Sequence, residues 1–214
     1  LGPNTPTTLF NGMIHPLIPY SIRGAIWYQG ESNVGRASQY ERLFPTLIRC
    51  WRTHWALGDF PFYFVQIAPY DYGPNARSQR LREAQLRTML RVPHTGMVVT
   101  TDVGDDHNIH PARKREVGER LALWALANDY GFRDLVYSGP IYERMEREGT
   151  RLRLYFRYAD GGLVLRPADD GGEFVIAGPD RVFHPARVRV EGETLVVWSP
   201  RVSDPQAVRY GWSN

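Results

Sequence analysis

Ile22-Arg23-Gly24-Ala25-Ile26-Trp27-Tyr28, running straight into Gln29-Gly30-Glu31-Ser32-Asn33, is the stretch that decides the fold. Its apolar residues do not alternate with polar ones, so it reads as a strand buried on both faces, as in a parallel sheet. Upstream, Leu9, Met13 and Leu17 recur at helical spacing over Thr8 to Ile18, and Pro19 ends the run. Downstream, Tyr40, Leu43, Phe44, Leu47, Ile48, Trp51 and Trp55 recur at three and four. That predicts a helix from Ser38 in which Pro45 either sits near the first turn or marks a kink. Phe62 to Ala68 reads as a second buried strand, Gln79 to Leu90 as a second helix and Gly96 to Thr101 as a third strand. A polar loop over Asp102 to His110 then leads through Pro111 into a helix whose core face is Val117, Leu121, Trp124 and Ala125, ending at Gly131. Strands and helices in this alternation predict α/β layering on a parallel sheet.

After Gly139-Pro140 the pattern changes. Short alternating runs at Leu152-Leu154-Phe156, Leu163-Leu165, Phe174-Ile176, Val188-Val190 and Leu195-Val197 are separated by Asp160-Gly161-Gly162, Asp170-Gly171-Gly172 and Glu191-Gly192-Glu193. Antiparallel hairpins packed as a β-sandwich are the expectation. The boundary falls near Ser138, with an α/β domain over 1–137 and an incomplete β-rich region over 138–214.

Composition narrows the function classes. The chain has 214 residues, 43% hydrophobic and 23% charged, which excludes collagenous, coiled-coil and disordered chains. Lys+Arg 26 against Asp+Glu 23 gives +3 with the charges interspersed, so no basic stripe suits a nucleic acid. Lys114 is the only lysine and Cys50 the only cysteine, so no internal disulfide forms. No apolar run approaches the ~18 residues of a membrane span, and no charged and apolar leader is visible. Both ends, at Leu1 and Asn214, read as cuts through a longer protein.

Two polar clusters follow predicted strands, where an open α/β sheet places its ligands. In the first, Gln29 offers a carboxamide N–H to a developing oxyanion together with backbone amides of the Gly30 turn. The bland alternative is that Gln29, Glu31 and Asn33 only build the turn and cap the next helix. Gly30-Glu31-Ser32 begins like a nucleophile elbow, but Val34 stands where that motif requires glycine. In the second cluster, Asp105-Asp106-His107-Asn108-Ile109-His110, the expectation is that Pro111 opens the helix and leaves the His110 imidazole on a loop. An imidazole there can pass a proton between a hydroxyl nucleophile and a leaving alcohol; it can equally cap the helix or decorate the surface. A metal reading of the same loop takes Asp105, His107 and His110 as ligands. The stripe of Tyr40, Phe44, Trp51 and Trp55 reads as core, and Cys50 as a buried small hydrophobe.

Taken together, Leu9-Phe10-Asn11-Gly12-Met13-Ile14, the Gly24 to Asn33 stretch, Trp51-Arg52, Gly58-Asp59-Phe60-Pro61-Phe62, Arg82-Glu83-Ala84-Gln85, Ile109-His110-Pro111 and Val117-Gly118 resemble the sialate O-acetylesterase family. This is a family of SGNH-type carbohydrate esterases, alongside certain acetyl xylan esterases. The resemblance implies a flavodoxin-like α/β/α hydrolase domain followed by β-structure. It implies a serine esterase acting on acetylated carbohydrate with no cofactor; the charge pattern and the lack of a long apolar run point to neither nucleic acid nor membrane as partner. The family's base maps onto His110 and its oxyanion-side block onto Gln29, Gly30 and Glu31, while the nucleophile belongs to a Gly-Gln-Ser-Asn type motif upstream of Leu1. The acid usually stands three residues before the base, where this chain has His107. Asp105 is the favoured orienter of His110; Asp106, or a serine-histidine dyad oriented by a backbone carbonyl, is the alternative.

Overall fold

The protein, as a computed structural model, is described over residues 2–165 and 173–213. It divides into two compact units, Leu1–Arg133 and Asp134–Ser213.

The first unit is built on three parallel strands, β1 (Ala25–Tyr28), β2 (Phe62–Val65) and β3 (Thr95–Val98), lying side by side in that order. Side chains alternate across a strand, so β2 sends Phe62 and Phe64 to one face and Tyr63 to the other. Phe62 and Phe64 join Phe44 and Ile48 of α1 (Ala37–Trp55) and Leu81 and Ala84 of α2 (Ser78–Arg91) in one core. Tyr63 packs on Trp124 of α3 (Lys114–Asp129), ring centroids 5.9 Å apart. A Cβ on Gly96 would come within 2.4 Å of the Trp124 ring, so only glycine lets α3 lie this close to β3. Helices on both faces of the sheet make the three-layer α/β/α arrangement.

At the amino ends of β2 and β3, the buried Arg52 guanidinium gathers the chain. It donates to the Phe60 carbonyl at 3.1 and 2.8 Å, to Pro93 at 3.0 Å and to His94 at 3.1 Å. Burial lowers its pKa from the ordinary arginine value, opposed by the charge of Asp59.

Several sequence expectations shift. The run from Phe10 to Leu17 is helical, but as a π-helical turn followed by a 3₁₀ turn. β1 begins at Ala25 and is not buried on both faces: it lies at the edge of the described sheet, and Ile26 is 70% exposed. Pro45 sits well inside α1, where its missing N–H would have gone to the carbonyl of Glu41. Pro111 does not open a helix, because α3 starts three residues later at Lys114. Cys50 is half-buried beside His54 rather than in the core.

The second unit contains β4 (Ile141–Glu148), β5 (Arg151–Arg157), β6 (Phe174–Ala177), β7 (His184–Pro185), β8 (Arg187–Glu191), β9 (Thr194–Trp198) and β10 (Ala207–Tyr210). They form two antiparallel sheets, ordered β4-β5-β9-β8 and β10-β6-β7. Leu152, Leu154, Leu195 and Val197 from the first meet Phe174 and Ile176 from the second in a shared core, which is the sandwich expected from the alternation. Gly192, at φ 63°, turns the β8–β9 hairpin. Leu163 and Leu165 pack on this core without forming a strand. The Asp170-Gly171-Gly172 turn lies outside the described residues. β4 had no counterpart in the sequence reading. Its residues beyond Ile141 are exposed on both faces, and a bulge leaves Glu143 unpaired.

Candidate active site

Because β1, β2 and β3 are parallel, the loops that follow them leave from one edge of the sheet. Three contacts draw these loops together. Asp71 N–H donates to the Asp106 carbonyl at 3.0 Å, joining the loop after β2 to the loop after β3. A Cβ on Gly104 would stand 2.4 Å from Pro69 Cδ, so that glycine is there for close contact. Lys114 Nζ lies 4.6 Å from the Tyr28 ring centroid, which ties the start of α3 to the end of β1. Arg120 braces the same loop from α3, donating to Asp102 Oδ1 at 2.8 Å, Asp102 Oδ2 at 2.6 Å and the Val99 carbonyl at 2.6 Å. The Gln29 turn and the His110 loop therefore open on the same edge.

The Gln29 turn is held from several sides. Gln29 Nε2 donates to Asn33 Oδ1 at 2.8 Å, which fixes the carboxamide, and its second N–H meets no acceptor among the described residues. The Gln29 carbonyl accepts from Tyr40 Oη at 3.2 Å and from Gln85 Nε2 at 3.3 Å. Gly30 is buried, with φ 155° and ψ −21°, and its carbonyl accepts the Asn33 N–H at 2.7 Å. A side chain there is doubly excluded, by φ and by Ile67 Cγ2, which a Cβ would approach to 2.8 Å. In a trans peptide the C=O and the following N–H point in opposite directions. With the Gln29 carbonyl turned toward Tyr40 and Gln85, the Gly30 N–H points away from them, and it meets no acceptor among the described residues. A buried residue with an uncommitted N–H is rare and calls for an explanation.

Glu31 opens the 3₁₀ turn Glu31–Arg36, and its charge is felt by the phenols around it. Burial, with Glu31 adding to it, raises the pKa of Tyr28 and pushes that of Tyr72 up to about 12. Tyr40 is likewise pushed up to about 12, chiefly by burial. These hydroxyls stay neutral, and Tyr40 remains a donor to the Gln29 carbonyl.

His110 is exposed on its loop, its backbone N–H donating to Asn108 Oδ1 at 2.9 Å. Its ring hydrogen-bonds to no other described residue. Asp105 is also exposed, and its Oδ1 accepts the His107 N–H at 2.9 Å. The structure places Asp105 in the same loop as His110 but does not join its carboxylate to the ring. Asp105, His107 and His110 do not converge either: among the described residues no three His, Cys, Asp or Glu side chains gather as metal ligands would. Ser32 is exposed on the turn, its carbonyl accepting from Arg36.

Gln85, Lys114 and the Arg120–Asp102 pair were not singled out as site residues by sequence reasoning. One signal for Gln85 was present. It occupies a core position of α2 with Leu81, Ala84 and Thr88, and a carboxamide at such a position needs internal partners.

Residues 7–127 match the family described as carbohydrate esterase, sialic acid-specific acetylesterase. The sialate O-acetylesterase of Rattus norvegicus is 32% identical over 99% of this chain and 43% of its own length. That of Mus musculus is 36% identical, again over 99% of this chain and 43% of its own. A carbohydrate acetylesterase from Xanthomonas citri superposes with a TM-score of 0.88 at 41% identity, covering 96% of this chain and 48% of that one. The chain thus spans less than half the length of the relatives it matches.

Proposed function

This chain belongs to the carbohydrate esterase family of sialic acid-specific acetylesterases, and from that premise we propose that it carries the base and the oxyanion donors of a serine esterase for acetylated sugars. In this reading a serine outside residues 1–214 attacks the acetyl carbonyl carbon while His110 takes the hydroxyl proton. The tetrahedral intermediate collapses, the sugar alkoxide leaves with that proton, and an acetyl-serine remains. His110 then deprotonates water, which attacks the acetyl-serine; acetate departs and the serine recovers its proton. The Gly30 N–H and the second N–H of Gln29 hold the negative charge that develops on the carbonyl oxygen in both halves.

The observation that carries this reading is the Gly30 peptide, pinned through its carbonyl side and with its N–H uncommitted at the carboxyl edge of the sheet. The uncommitted His110 ring on the same edge supports it. Asp105 serves as orienter through its second oxygen, Glu31 shapes the turn, and no metal or cofactor takes part. Residues 1–137 belong to the esterase domain and 138–214 to its β-rich continuation. The substrate is an acetyl ester on sialic acid or on a plant-type sugar.

The test is acetate release from O-acetylated sialic acid and from acetylated xylo-oligosaccharides by the full-length polypeptide. His110→Ala is expected to lower kcat by about three orders of magnitude with little change in KM, since proton transfer matters only in the transition state. Activity within tenfold of the parent, in folded protein, removes His110 from the mechanism.

A further inference from the structure

The side chain of Gln85 lies in α2, fully buried, yet it reaches across to the backbone of β2 and of the segments that follow β1 and β2. The β1–β2 ladder explains what it does there. Ala25 N–H donates to the Pro61 carbonyl, and the register pairs Ala25 with Phe62 and Trp27 with Phe64. Continued by one rung, this parallel pattern would join Ile67 N–H to the Gln29 carbonyl. That bond does not form. Gln85 Nε2 donates instead to Val65 O at 3.2 Å and to Gln29 O at 3.3 Å, and Gln85 Oε1 accepts Ile67 N–H at 3.0 Å. One carboxamide bridges the missing bond, taking Ile67 N–H on its oxygen and reaching the Gln29 and Val65 carbonyls from its nitrogen.

The replacement has a geometric result. With an amide inserted between them, β1 and β2 part beyond Tyr28 and Val65, and the 29–30 peptide leaves the plane of the ladder. The same Nε2 would stand 3.2 Å from a Cβ on Gly30, so the turn rests directly on this amide. Gln85 thereby fixes which way the Gly30 N–H faces. A hydrocarbon of the same size would fill the space but leave the buried Ile67 N–H without a partner, and that group would draw the Gln29 carbonyl back into the ladder.

We infer that Gln85 is a positioning residue for catalysis, a surrogate rung that splays β1 from β2 and aims the Gly30 N–H at the reacting carbonyl. The inference rests on the esterase reading above. It assigns Gln85 no contact with substrate, so its loss is read in kcat rather than KM.

The experiment uses the full-length polypeptide with Gln85→Met and Gln85→Glu, assayed for acetyl ester hydrolysis between pH 6 and 9, with folding checked at each pH. Gln85→Met is expected to lower kcat by about 30- to 100-fold with KM within about threefold, the low end of what losing an oxyanion donor costs. Gln85→Glu keeps the acceptor for Ile67 N–H and, when protonated, one donor. Burial and the facing carbonyls hold its carboxyl pKa up in this range. Its deficit relative to the parent at the same pH should therefore grow as pH rises, whereas the deficit of Gln85→Met stays flat; a purely structural role would not separate the two. An active parent with both variants folded and within threefold in kcat overturns the inference and leaves the esterase reading standing. A deficit that falls on KM overturns it as well. A full-length parent that releases no acetate from any ester overturns the esterase reading, and the inference with it.

Discussion

Arg52→Met is expected to destabilise the first unit by about 2–3 kcal/mol, and the structure shows where that number comes from. The Phe60 carbonyl is buried and takes two of the guanidinium's hydrogen bonds, so methionine orphans it at about 1–3 kcal/mol. Pro93 and His94 are exposed, and His94 O also holds Phe62 N–H at 3.0 Å, so their carbonyls add about 0.5 kcal/mol each. Against this, the native guanidinium is itself desolvated, as its lowered pKa indicates, and removing it recovers part of that cost. Methionine keeps the aliphatic stem, so packing changes little. Asp59 contributes almost nothing: it stands 3.8 Å away with its side chain 62% exposed, and Asp59→Asn should cost under about 0.5 kcal/mol. Urea unfolding followed by tryptophan fluorescence, with Trp51 and Trp55 on the same helix, measures both variants. Arg52→Met within about 0.5 kcal/mol of the parent would refute the account. So would an Asp59→Asn loss as large as that of Arg52→Met, for then the ion pair and not the carbonyl clamp holds the strands.

Gln29→Ala should lower kcat in the full-length polypeptide by about 10²- to 10³-fold if its free N–H meets the oxyanion; a variant that loses stability but keeps kcat makes Gln29 structural. Asp105→Asn should cost far more activity than Asp106→Asn or His107→Ala, since an orienting carboxylate sets the imidazole tautomer. Equal small losses in all three would point to a dyad. The fold holds the Tyr40 phenol neutral, its pKa raised to about 12 from the unfolded value near 10. That stabilisation is complete below about pH 10 and is lost as pH rises toward 12. Tyr40→Phe should unfold less steeply over that window, and an unchanged alkaline slope would show that Tyr40 titrates normally.

What was legible in the sequence came from burial pattern. The three parallel strands, the three long helices and the hairpin at Gly192 all announce themselves through apolar spacing or turn glycine. The ends of elements were less legible because backbone partners decide them. Phe62 to Ala68 is apolar throughout but for Gln66, yet β2 stops at Val65, where β1 turns away and Gln85 takes over. β4 escaped notice because Glu143, Arg144, Glu146, Arg147 and Glu148 give it no apolar face to read. The His110 and Gln29 clusters stood out as polar loops after strands. Gln85 did not, because its meaning lies in which carbonyls it reaches, and that depends on a register between strands more than thirty residues apart.

The charged strand from Ile141 to Glu148 also bears on how this polypeptide behaves in a crowded solution. Among the described residues it lies outermost in its sheet, and such a strand presents amides and carbonyls that can template the addition of another chain. Here the bulge at Glu143 breaks the regular spacing such a template needs, and Arg144 with Glu146 and Arg147 with Asp204 set paired charges along its flanks. An incoming strand would have to dehydrate those pairs while gaining no hydrophobic cover in return. This margin of the sandwich is thereby made unsuited to growth into filaments, a safeguard against aggregation written into residues that add nothing to the core.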